Sequence, residues 1–119
     1  EHVIPNNVIF THYVNLLTTK NFDDPEDKIL AENILNTIAL HPNAKVHFLT
    51  DDECVKSIEE ALGKDTKLVG YFMKEKAGMF KADICRGAAL YNTGGLYFDV
   101  DIQARMNMFD VIDPKIEFV

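Results

Sequence analysis

Apolar positions along the chain switch between two rhythms. Val8-Ile9-Phe10-Thr11-His12-Tyr13-Val14 is a dense run of β-branched and aromatic residues and predicts a buried central strand. Lys45-Val46-His47-Phe48-Leu49 predicts a second strand. Between them Ile29, Leu30, Asn33, Ile34, Thr37 and Ile38 keep a helical period to about Leu40. Asp24 is placed to N-cap that helix with Pro25 at its first position, and His41-Pro42-Asn43-Ala44 stops it. Asp52 to Leu62 predicts another helix, with Cys54, Val55, Ile58, Ala61 and Leu62 inward and Gly63 closing it. Lys67 to Phe72 has a weak alternation that suits a short edge strand, followed by an irregular approach through Met73 to Gly78. Phe80, Ile84, Ala88 and Tyr91 then trace the buried stripe of a further helix, which Asn92-Thr93-Gly94-Gly95 ends.

After that glycine pair the period drops to two. On a strand reading, Leu96, Phe98, Val100 and Ile102 share one face and Tyr97, Asp99, Asp101 and Gln103 the other. Phe109 to Pro114 reads as a turn and Ile116 to Val119 as the start of one more strand. The alternation of strand and helix predicts an α/β fold, and 119 residues suit one compact domain, 1–119. No internal repeat breaks the pattern.

In open α/β sheets, ligands bind beyond the carboxyl ends of the strands. Thr11, His12 and Tyr13 stand at such an end and become candidates for contacting a ligand, Tyr13 by stacking. His12 reads equally well as a hydrogen-bonded, partly buried histidine. Thr50 and Asp51 end the second strand; helix capping accounts for them, and a ligand contact through Asp51 is the alternative.

Composition narrows the partners. The net charge of −7 and pI of about 4.9 argue against a nucleic-acid surface or an anionic membrane as partner. No apolar run approaches the roughly 18 residues of a membrane span, and the N-terminus shows no basic-then-apolar leader. Apolar residues make up 47% of the chain, ample for a core. Cys54 and Cys85 lack metal-ligand spacing with the four histidines and are expected as buried free thiols.

Asp99-Val100-Asp101 carries the chemistry. Two carboxylates on one strand face repel each other and resist burial in ionised form, so a cation between them is expected. Magnesium- or manganese-type sites use one or two carboxylates and fill their remaining positions with water and phosphate oxygens. A pair of solvated acids is the plain alternative. In the preceding helix Asp83 and Arg86 are neighbours at i and i+3, a spacing that alone suits a surface ion pair. Lys81 nearby offers a charge to a phosphate, or is simply solvated.

Taken in order, Asp83, Arg86, Leu90, Tyr91, Gly94-Gly95, Leu96-Tyr97 and Asp99-Val100-Asp101 closely resemble the D-x-D-containing sugar-binding region of glycosyltransferases. The likeness is greatest to the family of the yeast initiating mannosyltransferases, capsule-type transferases and the catalytic domains of clostridial glucosylating toxins. It is dense over about residues 78–103 and thinner upstream, where Ile4-Pro5 precedes the first strand. The chain departs from that family at Thr11-His12-Tyr13, where a tryptophan is common, and it has no Trp at all.

The resemblance implies a GT-A, Rossmann-like fold: a mixed, mostly parallel sheet flanked by helices, of which this chain is the N-terminal, donor-binding part, C-terminally incomplete. It implies a metal-dependent transferase moving a hexose from a nucleoside-diphosphate sugar, UDP-sugar favoured, to a glycan or protein acceptor. Mn2+ or Mg2+ would sit on Asp99 and Asp101, which are also the catalytic candidates. Donor contacts would come from Thr11, His12, Tyr13, Asp51, Asp83, Arg86, Tyr97 and Asp99.

Rival readings are separable by position. In haloacid-dehalogenase-like phosphatases the D-x-D follows the first strand, and in receiver domains an acidic pair does; here His12 and Tyr13 stand there instead. A non-catalytic nucleotide-sugar or metal-binding module, or an inactive transferase relic, would share the same donor site.

Overall fold

The computed structural model describes residues 4–76, 78–102 and 105–110. The strand proposed at Ile116–Val119, most of the Phe109–Pro114 turn, and Gln103 lie outside them. The elements are β1 (Asn7–Thr11), α1 (Pro25–Leu40), β2 (Lys45–Leu49), α2 (Asp51–Leu62), α3 (Leu68–Lys74), α4 (Gly78–Asn92) and β3 (Leu96–Tyr97), with a 3-10 turn at Met108–Asp110. Among the described residues this is a mixed α/β fold of three parallel strands in the order β2-β1-β3 and four helices.

β1 is central, which is why its sequence is apolar on both faces: Val8, Ile9 and Phe10 are essentially inaccessible. It pairs from Asn7↔Lys45 to Thr11↔Leu49 on one side and at Val8↔Leu96 and Ile9↔Tyr97 on the other. The strand stops at Thr11, short of the expected Val14, and His12 N–H is the last to bond across, to the Leu49 carbonyl.

Two cores flank the sheet. Val8, Phe10, Leu16, Ala31, Ile34, Phe48 and Phe98 form the one beneath α1. Cys54, Ile58, Phe72, Cys85 and Ala88 form the other, among α2, α3 and α4. α1 begins as its sequence predicts, with the Asp24 carboxylate accepting from Glu26 N–H at 2.9 Å and Pro25 following. Its inward side continues to buried His41, whose Nδ1–H donates to the Thr37 carbonyl (2.6 Å) while Nε2 accepts from Met108 N–H (2.9 Å). That imidazole ties α1 to the chain returning after β3.

Four local expectations are corrected. Lys67–Phe72 is not an edge strand: Thr66 Oγ1 accepts from Leu68 N–H and starts α3, which buries Phe72 and leaves Tyr71 and Met73 outside. On α4, Phe80 (53% exposed) and Tyr91 (79%) do not belong to the buried stripe. The inward positions are Cys85, Ala88 and Ala89, small enough for α4 to approach α2, with Asn92 Nδ2 donating to Ser57 O and Oγ. Leu62, placed inward from its spacing, is exposed at the end of α2. Lastly, the cysteines are not free thiols: Cys54 of α2 and Cys85 of α4 form a disulfide, with Cα atoms 5.2 Å apart. Their spacing of 31 residues carries no pairing signal; only the packing of α2 on α4 brings them together.

The amino ends of the strands are sealed. Gly94 and Gly95 have φ of 73° and 118°, values that disfavour any side chain. A Cβ on Gly95 would stand 2.5 Å from the Asn7 carbonyl oxygen, and one on Gly94 2.8 Å from Pro5 Cγ. Asn7 Nδ2 donates to the Thr93 and Gly94 carbonyls, which fixes its amide orientation, so its Oδ1 accepts from His47 Nε2–H at 3.1 Å. One asparagine thereby joins β1, β2 and the α4–β3 turn.

Candidate functional site

At the opposite, carboxyl ends of the strands a cleft of about 880 Å³ opens, within the size of small-molecule sites. β1 delivers Thr11, His12 and Tyr13 to it, the start of α2 delivers Asp51, α4 delivers Asp83 and Arg86, and the exit from β3 delivers Tyr97, Asp99 and Asp101. Every residue proposed from the sequence to contact the donor or the metal therefore lines this one cleft.

Their surroundings differ from the expectation in one respect. β3 pairs only over Leu96–Tyr97, after which Phe98 N–H bonds to the Ile9 carbonyl and Ile102 N–H turns back to the Asp99 carbonyl at 3.0 Å. β3 thus leaves the ladder before β1 ends, since the same register would carry it on to Asp99 opposite Thr11. The D-x-D sits on this turn and not on a strand face. Both carboxylates are exposed, and so is Ile102, which the strand reading placed in the core. Phe98 and Val100 do pack against the core beneath α1, as the alternation predicts.

Polar contacts organise the wall. Tyr97 hydroxyl and Thr11 Oγ1 are 2.7 Å apart, so the end of β1 and the end of β3 are joined across the sheet. Burial, reinforced by the Asp99 carboxylate, raises the Tyr97 phenol above its ordinary value, against the opposing influence of Thr11 and Arg86. Arg86 lies with its guanidinium 5.6 Å from the Tyr97 ring centroid and pairs with Asp83 at 3.0 Å. Lys81 Nζ pairs with Asp51 at 2.8 Å and sits 4.8 Å from the Phe72 ring centroid. Lys81 is therefore not simply solvated: it bridges α4 to the start of α2 on the wall of the cleft. The Cys54–Cys85 bond braces the same two helices and lines the cleft.

The sequence reading missed Asp27. It is 9% exposed, and its carboxylate accepts from the Tyr13 hydroxyl at 2.7 Å and faces His12 Nε2 at 3.3 Å. The signal was present: Asp27 is in phase with Ala31, Ile34 and Thr37, the buried side of α1. A carboxylate at a core-phase position requires a partner.

Six carboxylates and three cationic side chains line the cleft, and two of those cations, Lys81 and Arg86, are paired within the wall. The cleft is acidic on balance, and an anionic ligand would need added positive charge. Among the described residues no group of three or more His, Cys, Asp or Glu side chains could hold a metal ion by protein ligands alone. Asp99 and Asp101 are two exposed carboxylates on one turn, and one or two carboxylates are what a hard cation that keeps water and phosphate oxygens takes from a protein.

A parallel α/β sheet with an acidic cleft at its carboxyl edge and a D-x-D turn on the rim defines a class of ligand-binding fold more than a particular chemistry. The glycosyltransferase sugar-binding region containing a DXD motif matches residues 27–119. The chain belongs to this glycosyltransferase family, whose match runs from the first turn of α1 through the D-x-D turn and beyond. No curated protein and no solved structure gave a significant match. No helix among the described residues is long and apolar enough to cross a membrane.

Proposed function

We propose that the cleft binds a nucleoside-diphosphate sugar, UDP-hexose favoured, and that the chain is the donor-binding part of a GT-A-type, metal-dependent hexosyltransferase acting on a glycan or protein acceptor. The observation that carries this reading is the convergence on one cleft of the D-x-D turn, the α4 pair Asp83 and Arg86, and the end of β1, within a chain of the sugar-binding family.

The roles follow from position. Asp99 and Asp101 would hold Mn2+ or Mg2+, which supplies Lewis-acid stabilisation of the charge developing on the departing diphosphate. The acidic lining explains why such an ion is needed. Asp83 and Arg86, half-exposed and mutually paired, present an acceptor and a donor to sugar hydroxyls. Tyr97, neutral and held by Thr11, keeps the Arg86 guanidinium over its ring. His12 and Tyr13, with ring centroids 4.5 Å apart, offer aromatic surface to a base, in place of the tryptophan common in the family. Asp51 pairs with Lys81 through Oδ2 as part of the wall, which leaves Oδ1 to contact the donor.

Calorimetric titration with a panel of nucleoside diphosphates and UDP-sugars, in manganese and then in chelator, tests this. Metal-dependent binding that prefers one base supports it; equal binding with and without chelator contradicts it.

A further inference from the structure

Asp27 is the most deeply buried carboxylate the structure places beside the cleft, and its partners belong to the ligand-facing end of β1. Resting on the donor-site reading above, we infer that Asp27 is a positioning residue that holds the His12 and Tyr13 rings as a preformed platform for the nucleotide base.

The geometry assigns each part. Asp27 lies in the first turn of α1, a place that favours a carboxylate, yet its side chain reaches across to the segment leaving β1. One oxygen, Oδ2, takes the Tyr13 hydroxyl at 2.7 Å, and the other, Oδ1, takes His12 Nε2 at 3.3 Å. An ionised carboxylate only accepts, so both rings donate to it, and His12 carries its proton on Nε2. Both carboxylate oxygens are thus used by two consecutive residues that no longer belong to a strand: β1 stops at Thr11.

That ending creates the need. Past Thr11 the sheet holds only the His12 backbone, through its N–H to the Leu49 carbonyl, and neither ring; Tyr13 is 59% exposed. An exposed tyrosine without a tether samples several rotamers, and ordering it on binding weakens affinity. Asp27 removes that freedom before the ligand arrives. With the hydroxyl of Tyr13 tied down, the ring is what remains to meet a ligand, and recognition at this point would be stacking. The same contact with Asp27, aided by burial, raises the Tyr13 phenol above its ordinary value.

The alternative is that Asp27 merely stabilises the start of α1. UDP titrations of the full chain in manganese separate the two, using wild type, Asp27→Asn, His12→Ala/Tyr13→Ala, and the triple variant. Positioning predicts that Asp27→Asn weakens UDP binding about tenfold with helix content unchanged by circular dichroism, and that adding it to His12→Ala/Tyr13→Ala changes binding less than about twofold. Wild-type affinity in Asp27→Asn, or its full penalty persisting once both rings are gone, overturns the assignment.

A second readout needs no ligand. In a spectrophotometric tyrosine titration, Asp27→Asn should lower the titration of one phenol, the one that Tyr13→Phe removes; no change there shows that Asp27 does not hold Tyr13. Failure of the wild-type chain to bind UDP at all would instead overturn the donor reading, and the platform with it, while the tyrosine titration still reports whether the tether exists.

Discussion

The two ends of the sheet are built by opposite rules. At the amino end, Gly94 and Gly95 press against Pro5 and Asn7 with no room for an extra carbon, and the Asn7 side chain satisfies the turn carbonyls and His47 together. At the carboxyl end the strands stop at different points, side chains bridge across a cleft, and carboxylates face solvent. A closed end of this kind serves stability. An open end lined with like charges weakens the compact state and is retained for binding. The difference shows where substitutions should unfold the protein and where they should only silence it.

The largest expected effect is at the sealed end. Gly95→Ala combines a left-handed backbone with a Cβ 2.5 Å from a carbonyl oxygen, and a loss of about 4 kcal/mol or failure to fold is expected. Thermal or urea unfolding checks it, and a Gly95→Ala variant as stable as wild type would break the contrast.

Next comes the brace behind the cleft. Opening the Cys54–Cys85 bond, which closes a 31-residue separation, should cost about 3–4 kcal/mol on chain-entropy grounds. Reductant, or a Cys54→Ser/Cys85→Ser variant, gives the measurement by urea unfolding. A comparable midpoint with and without reductant would mean that α2 and α4 hold the cleft without it.

The smallest effect concerns pH. Burial, with Lys45 adding to it, lowers the pKa of His47 below its unfolded value of about 6.5. Between the folded and unfolded values the unfolded chain binds more protons, so stability falls as pH drops through about 6.5 and is level above it. His47 is partly exposed, so the shift in melting temperature should be modest. It should shrink in His47→Gln, which removes the titrating group. A His47→Gln profile identical to wild type would exclude His47 as its source.

Much of the scaffold was legible because local and global signals agree. Asp24-Pro25 at the start of α1, the bounds of β2, Gly63, and the Gly94-Gly95 turn each follow from capping or backbone geometry acting on a few neighbouring residues. The residues of the cleft were legible too, since strand ends and a D-x-D after a glycine turn mark a carboxyl edge. What was not legible depends on distant partners. The length of β3 is cut by the turn in which Ile102 N–H bonds back to the Asp99 carbonyl, which the alternation in Leu96–Gln103 does not show. The α3 segment is helical because Phe72 has a core to enter between α2 and α4. The disulfide and the Asp27 tether need two helices, or a helix and a strand end, to be placed first, and a strand-face argument put Asp99 and Asp101 where the chain instead turns.

The central claim is that the D-x-D turn binds, and does not build. UDP should be titrated calorimetrically with manganese into the wild-type chain and into Asp101→Ala, with the melting temperature of each recorded. Asp101 is exposed on a turn, so the variant should lie within about 0.5 kcal/mol of wild type in stability while losing manganese-dependent affinity by tenfold or more. Equal affinity in the two chains would contradict the claim.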